Sequence, residues 1–84
     1  MACDNLHQYA RYSIEVQYPD DRGRVTYEDA RYAGSEWGQK KDNAGNVEYY
    51  AERELFVTEG RERLKLVPEW LVECTFLRSA VPNT

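Results

Sequence analysis

Between Tyr9 and Tyr18 the chain alternates without a break. Tyr12, Ile14, Val16 and Tyr18 fall on one side, and Arg11, Ser13, Glu15 and Gln17 on the other. A period of two is the mark of a strand with one face buried and one face wet. No other stretch constrains the fold as tightly, because one isolated strand has nowhere to bury its apolar face. The next residues, Pro19-Asp20-Asp21-Arg22-Gly23, are turn chemistry. Proline sets φ, the aspartates can bond the local backbone, and glycine permits a positive φ. A hairpin is therefore expected, with Arg24–Ala33 as the returning strand. Val25 and Tyr27 begin an alternation that Asp29 breaks, so a bulge or bend is expected near Asp29.

Gly34–Gly45 reads as an open segment. Three glycines (34, 38 and 45) interrupt it, and Lys40, Lys41, Asp42 and Asn43 make it polar. Trp37 stands alone there, as a lid over one end of the core or as an exposed anchor of the kind enriched at binding hot spots. Val47–Val67 is the densest apolar and charged run, and the rest of the chain is expected to pack around it as two antiparallel strands. The β-prone Leu55-Phe56-Val57-Thr58 argues for strand over the helical spacing of Val47, Tyr50, Ala51 and Leu55. Glu59-Gly60 marks a tight turn, and Leu64 and Leu66 alternate with Arg63 and Lys65. A hairpin centred on Glu59-Gly60 places Leu55 opposite Leu64, which makes Leu55, Val57, Leu64 and Leu66 the expected core. A single turn at Pro68–Trp70 should then lead into a last strand with Val72, Thr75 and Phe76.

These elements predict a mostly β fold: a small antiparallel sheet or an SH3-like barrel of four to five strands. The alternative is α+β, with short helices near 27–33, 47–57 or 69–78. Eighty-four residues suit one domain, 1–84, with loose ends at 1–8 and 79–84. A chain of this size buries roughly 60–65% of its unfolded surface, which leaves little stability in reserve. Seven tyrosines and two tryptophans carry much of the apolar area. A tyrosine can place its ring inside and its hydroxyl in water, which suits a thin domain. Leu66-Val67-Pro68-Glu69-Trp70-Leu71-Val72 resembles the end of an SH3-like barrel, where an apolar–Pro–x–x–aromatic turn enters the last strand. The resemblance implies a five-element barrel shape only. The acidic–aromatic start and paired tryptophans of SH3 domains are absent, so no proline-rich ligand is implied.

Catalysis is poorly supplied. His7 is the one histidine, and a general base near neutral pH is most often histidine. Cys3 and Cys74 have no CxxC spacing, and one imidazole with two separated thiols makes a poor metal set. No glycine-rich phosphate loop follows a strand. Asp20 and Asp21 form a carboxylate pair that the turn explains. No enzyme activity, catalytic residue, metal site or cofactor is expected. The start, Met1 to Tyr12, has no apolar core of the signal-peptide kind, and no run is long and apolar enough to span a membrane. The two cysteines are expected as reduced thiols in the cytoplasm, with a bridge from the N-terminus to the last element as the alternative.

Fifteen Asp and Glu against eleven Lys and Arg give a net charge of −4, the reverse of a typical nucleic-acid binder. The expected function is a non-enzymatic protein-binding module. By class-level analogy it resembles the small acidic inhibitors, anti-CRISPR proteins among them, that phages and mobile elements direct against host nucleic-acid machinery. Its expected contacts are Trp37, Tyr49, Tyr50, Glu52, Glu54, Glu59 and Glu62, joined by Glu48 in an acidic, tyrosine-edged patch that suits a partner with a basic surface. A second reading is a single-stranded nucleic-acid binder using Arg22, Arg24, Lys40 and Lys41. A third is an assembly subunit that forms a homo-oligomer through an exposed strand edge.

Overall fold

The computed structural model describes residues 3–79. They form one five-stranded antiparallel sheet built from β1 (Arg11–Gln17), β2 (Arg24–Lys41), β3 (Val47–Thr58), β4 (Arg63–Leu66) and β5 (Leu71–Arg78), in the order β4-β3-β2-β1-β5. A 3-10 turn at Pro68–Trp70 leads into β5. The mostly β expectation is met, and the helices considered for 27–33, 47–57 and 69–78 are all strand apart from that one turn. β4 and β5 are the two edges of the sheet.

The core lies against one face. Tyr12, Ile14, Val16 and Tyr18 project into it as the alternation requires, joined by Ala30, Tyr32, Phe56, Leu64, Leu66 and Leu71. Tyr32 packs on Phe56 with ring centres 5.3 Å apart, and Tyr18 packs on Trp70 at 5.7 Å. The Tyr18 and Tyr27 hydroxyls bond each other at 2.7 Å. Tyrosine thus supplies ring area inside and polar contacts at the margin of a thin core.

The first turn closes as its residues require. The Tyr18 N–H donates to the Gly23 carbonyl at 2.8 Å, and Gly23 takes a φ of +63°. Arg22 donates to the Asp20 carboxylate from its backbone at 3.0 Å and from its guanidinium at 2.7 Å, which holds the Asp20 carboxyl at about 2. In the ladder between β1 and β2, Glu28 and Asp29 together oppose Ser13, which is the bulge expected near Asp29.

Three expectations need correction. The first concerns Gly34–Gly45, which is not open: β2 continues to Lys41, and the turn is confined to residues 42–46. Gly34 is absorbed as a second bulge, at a φ of +100°. Asp42 closes the turn by accepting from the backbone N–H groups of Ala44 and Asn46, each at 2.9 Å. Glycines read as breaks therefore serve as a bulge, a strand position and a turn position. Trp37 is 65% exposed on this ribbon and covers no part of the core.

The second correction is one of register. Phe56 stands opposite Leu64 and Leu55 opposite Lys65, so Phe56 enters the core while Leu55 and Val57 are half-buried on the other face. The cause is the loop. The Thr58 N–H bonds the Glu62 carbonyl, leaving three loop residues, and Arg61 takes a φ of +65°. A three-residue loop with its last residue left-handed shifts the pairing by one relative to a two-residue turn, so the β3 side chains change face while Leu64 and Leu66 stay in the core.

The third correction concerns the cysteines, which are bonded to each other rather than free. They lie 71 positions apart in sequence, so spacing gives no hint of the pairing. β5 lies beside β1 with Cys74 opposite Ile14, and the N-terminal segment packs Cys3 and Leu6 against the core. The N-terminal segment is also tied by its backbone: the Tyr9 N–H donates to the Tyr32 carbonyl at 2.7 Å. Of the expected loose ends, 1–2 and 80–84 lie outside the described residues.

Candidate functional site

β1 flanks β2 only as far as Arg31, and β4 flanks β3 only from Glu54 to Val57. The rest of the β2–β3 hairpin, 34–41 and 47–53, therefore extends as a two-stranded arm with both edges unpaired among the described residues. Four of the large apolar side chains most open to solvent lie on it: Trp37, Val47, Tyr49 and Tyr50.

Register assigns the faces. Trp37 opposes Ala51, Gln39 opposes Tyr49 and Lys41 opposes Val47, so Trp37, Tyr49 and Val47 share one face of the arm. Gly38 opposes Tyr50 and Lys40 opposes Glu48 on the other. Tyr50 is folded over Gly38: a β-carbon at that position would come within 3.0 Å of the ring. An aromatic ring covering a cross-strand glycine is one way a strand tolerates glycine without a gap. The charges of the arm nearly cancel. The Lys40 ammonium lies 3.9 Å from Glu48 and 6.0 Å from the centre of the Tyr50 ring.

The residues singled out from sequence do not form one patch. Trp37, Tyr49, Tyr50 and Glu52 lie on the arm, but Tyr49 and Tyr50 face opposite ways. Glu54 is half-buried at the arm's base, where its carboxylate accepts from the Tyr32 hydroxyl at 3.0 Å and from the Ser35 hydroxyl. Glu59 and Glu62 lie in the β3–β4 loop, beyond the far end of the 12-residue β3, roughly 40 Å from the arm's tip. The basic set is also scattered. Arg22 pairs with Asp20, Arg24 pairs with Glu15 at 3.0 Å, and Lys40 and Lys41 lie at the arm's tip. Arg22 additionally stacks on the Tyr18 ring at 3.7 Å.

The sequence reading missed an arginine cluster on the face of the sheet away from the core. Arg31, Arg61 and Arg63 line one cleft there with Lys65. Arg61, Arg63 and Lys65 do alternate in the sequence, but only the sheet register brings Arg31 to them.

No protein-family model matches the chain, and no curated protein or solved structure shows significant similarity to it. Among the described residues no helix is long and apolar enough to cross a membrane.

Proposed function

We propose that this chain is a non-enzymatic protein-binding module whose contact element is the β2–β3 arm. The observation that carries the reading is the exposure of Trp37 at 65% and Tyr49 at 72% on one face of a ribbon with no flanking strand. Rings of this kind contribute little to the stability of the free domain, and their burial in a partner would release the most apolar area per residue. The open edges of the arm add a second mode of contact, since a partner strand can pair along them.

The arm offers aromatic surface more than negative charge, because the acidic residues expected to act together are divided among the arm, its base and the distant loop. Selection of a basic partner surface, and the finer reading of an inhibitor directed at nucleic-acid machinery, rest on size and net acidity. The Cys3–Cys74 bond supports an oxidising compartment over the cytoplasm. The test is affinity capture from the source organism with wild type and a Trp37→Ala/Tyr49→Ala variant whose melting temperature is unchanged. A stoichiometric partner lost with the variant supports the reading, and a partner retained at equal yield overturns it.

A second reading, assembly through an edge strand, is favoured by β5. Its outer edge is unpaired among the described residues, and Val72, Phe76 and Leu77 are exposed on the strand. Light scattering across a concentration series tests it: a monomer at all concentrations removes it.

A further inference from the structure

The sheet register aligns a row of side chains across all five strands. Arg78 opposes Arg11, Arg11 opposes Arg31, Arg31 opposes Val57, and Val57 opposes Arg63. Directly opposed residues point to the same face, so four arginines and one valine form a line on the surface away from the core. Strands lie about 4.8 Å apart, and like charges placed opposite each other in this way destabilise a sheet. One half of the row is compensated. The Asp29 carboxylate accepts from Arg11 at 2.6 Å and from Arg78 at 2.7 Å. The other half is not: Arg31 and Arg63, and Arg61 of the neighbouring β3–β4 loop, form no ion pair among the described residues, and Arg31 lies 5.9 Å from the centre of the Tyr9 ring.

These three arginines line a cleft of about 630 Å³ whose floor is aliphatic, formed by Ala33, Leu55 and Val57. Lys65 stands at its rim, 3.4 Å from Glu36. The cleft adjoins a second, of about 400 Å³, lined by Arg11, Arg31, Arg61 and Arg78, with Glu59 as its one carboxylate. In a domain of net charge −4, Arg31, Arg61 and Arg63 are a local concentration of uncompensated guanidinium groups over half-buried aliphatic surface.

We infer that the cleft binds an acidic peptide segment of a partner protein, with carboxylates held by Arg31 and Arg63 and an aliphatic side chain between them resting on Leu55 and Val57. The chemistry of the lining selects this occupant. Guanidinium groups present paired donors that match a carboxylate. Arg31 and Arg63 lie two strands apart, about 10 Å, which is close to the span of about 9 Å between residues three apart in a polyproline II segment, whose side chains return to the same face every third residue. A single-stranded nucleic acid needs exposed rings on which to stack its bases, and the cleft has an aliphatic floor. The site is separate from the arm and does not depend on the reading given to it.

Fluorescence anisotropy at low salt tests the inference. The probes are a labelled ten-residue peptide of Glu and Leu, its Gln-for-Glu counterpart, and a labelled deoxythymidine ten-mer. The Glu peptide should bind and the Gln peptide should not. Arg31→Gln and Arg63→Gln, each folded as judged by its melt, should weaken binding about tenfold apiece, the size expected when a charge-assisted bond is removed. Arg22→Gln with Arg24→Gln removes two charges outside the cleft, twice the change of either cleft variant, and should still weaken it far less. Equal losses in the two sets mean diffuse charge attraction and overturn the site. Equal binding of the Gln peptide, or tighter binding of the oligonucleotide, overturns the occupant. Displacement of the Glu peptide by inorganic phosphate at equal carboxylate concentration also overturns it, since that means a bare anion site.

Discussion

Phe56 stands directly opposite Leu64, and both are buried against the same tyrosine-rich face of β1 and β2. The neighbouring pair, Leu55 and Lys65, faces away from the core. Truncating a large buried ring costs about 3–5 kcal/mol through lost transfer energy and the cavity left behind. Phe56→Ala should therefore destabilise the domain by about that amount, and Leu55→Ala by about 1 kcal/mol. Urea unfolding of the two variants reads the difference. The reverse order of costs would mean that the hairpin pairs with Leu55 opposite Leu64.

The disulfide joins segments 71 positions apart, so it restrains nearly the whole unfolded chain. For a loop of that length the chain-entropy account gives about 4 kcal/mol, and engineered cases usually show less. Paired Cys3→Ser and Cys74→Ser substitutions should lower unfolding stability by about 2–4 kcal/mol. Reductant should have the same effect on wild type and none on the variant. A reductant-insensitive wild type sinks the claim.

Asp29 lies between Arg11 and Arg78. Burial on its own raises this carboxyl, but hydrogen bonds from Arg78 and Arg11 outweigh it and hold the group below its ordinary 3.8. A carboxyl depressed in the folded state stabilises the fold above its unfolded value, and that contribution is lost as pH falls through the folded one. Asp29→Asn removes it and leaves the opposed arginines uncompensated. The variant should melt lower than wild type at neutral pH, and the gap should narrow as pH falls below the ordinary carboxyl value of 3.8. Parallel pH profiles would assign Asp29 no such part. The Asp20 and Asp42 carboxyls, also lowered, are common to both proteins.

Gly34 marks the point where β2 leaves the body and enters the arm. Its φ of +100° is strained for any other residue, while a β-carbon there would meet only the Gln8 side chain at an ordinary 3.5 Å. Gly34→Ala should cost about 1–3 kcal/mol, all of it from the backbone. Gly60→Ala serves as the contrast. It has no positive φ, and a β-carbon there would meet only the Thr58 hydroxyl at an ordinary 3.9 Å, so it should be neutral or stabilising by up to about 1 kcal/mol. Thermal melts of the pair should move in opposite directions or differ by that margin.

The sequence by itself determined what local chemistry controls. The alternation of Tyr12, Ile14, Val16 and Tyr18 set the buried face of β1. Pro19–Gly23 set the first hairpin, and Pro68 set the turn before β5. The Asp29 break in pattern was legible as a bulge because a bulge is a local event. Tertiary structure alone decided everything that depends on partners remote in the chain. Whether Gly34 and Gly38 end a strand or are absorbed in one depends on the β3 residues opposite them. Whether Leu55 or Phe56 enters the core turns on a single loop residue, since a slip of one reverses every side chain of the slipped strand. Cys3 meets Cys74, and Arg31 meets Arg63, only after five strands take their order. The candidate surfaces followed the same rule. The exposed tryptophan was visible as a residue, but the arm that presents it and the arginine row across the sheet exist only in the register of the strands.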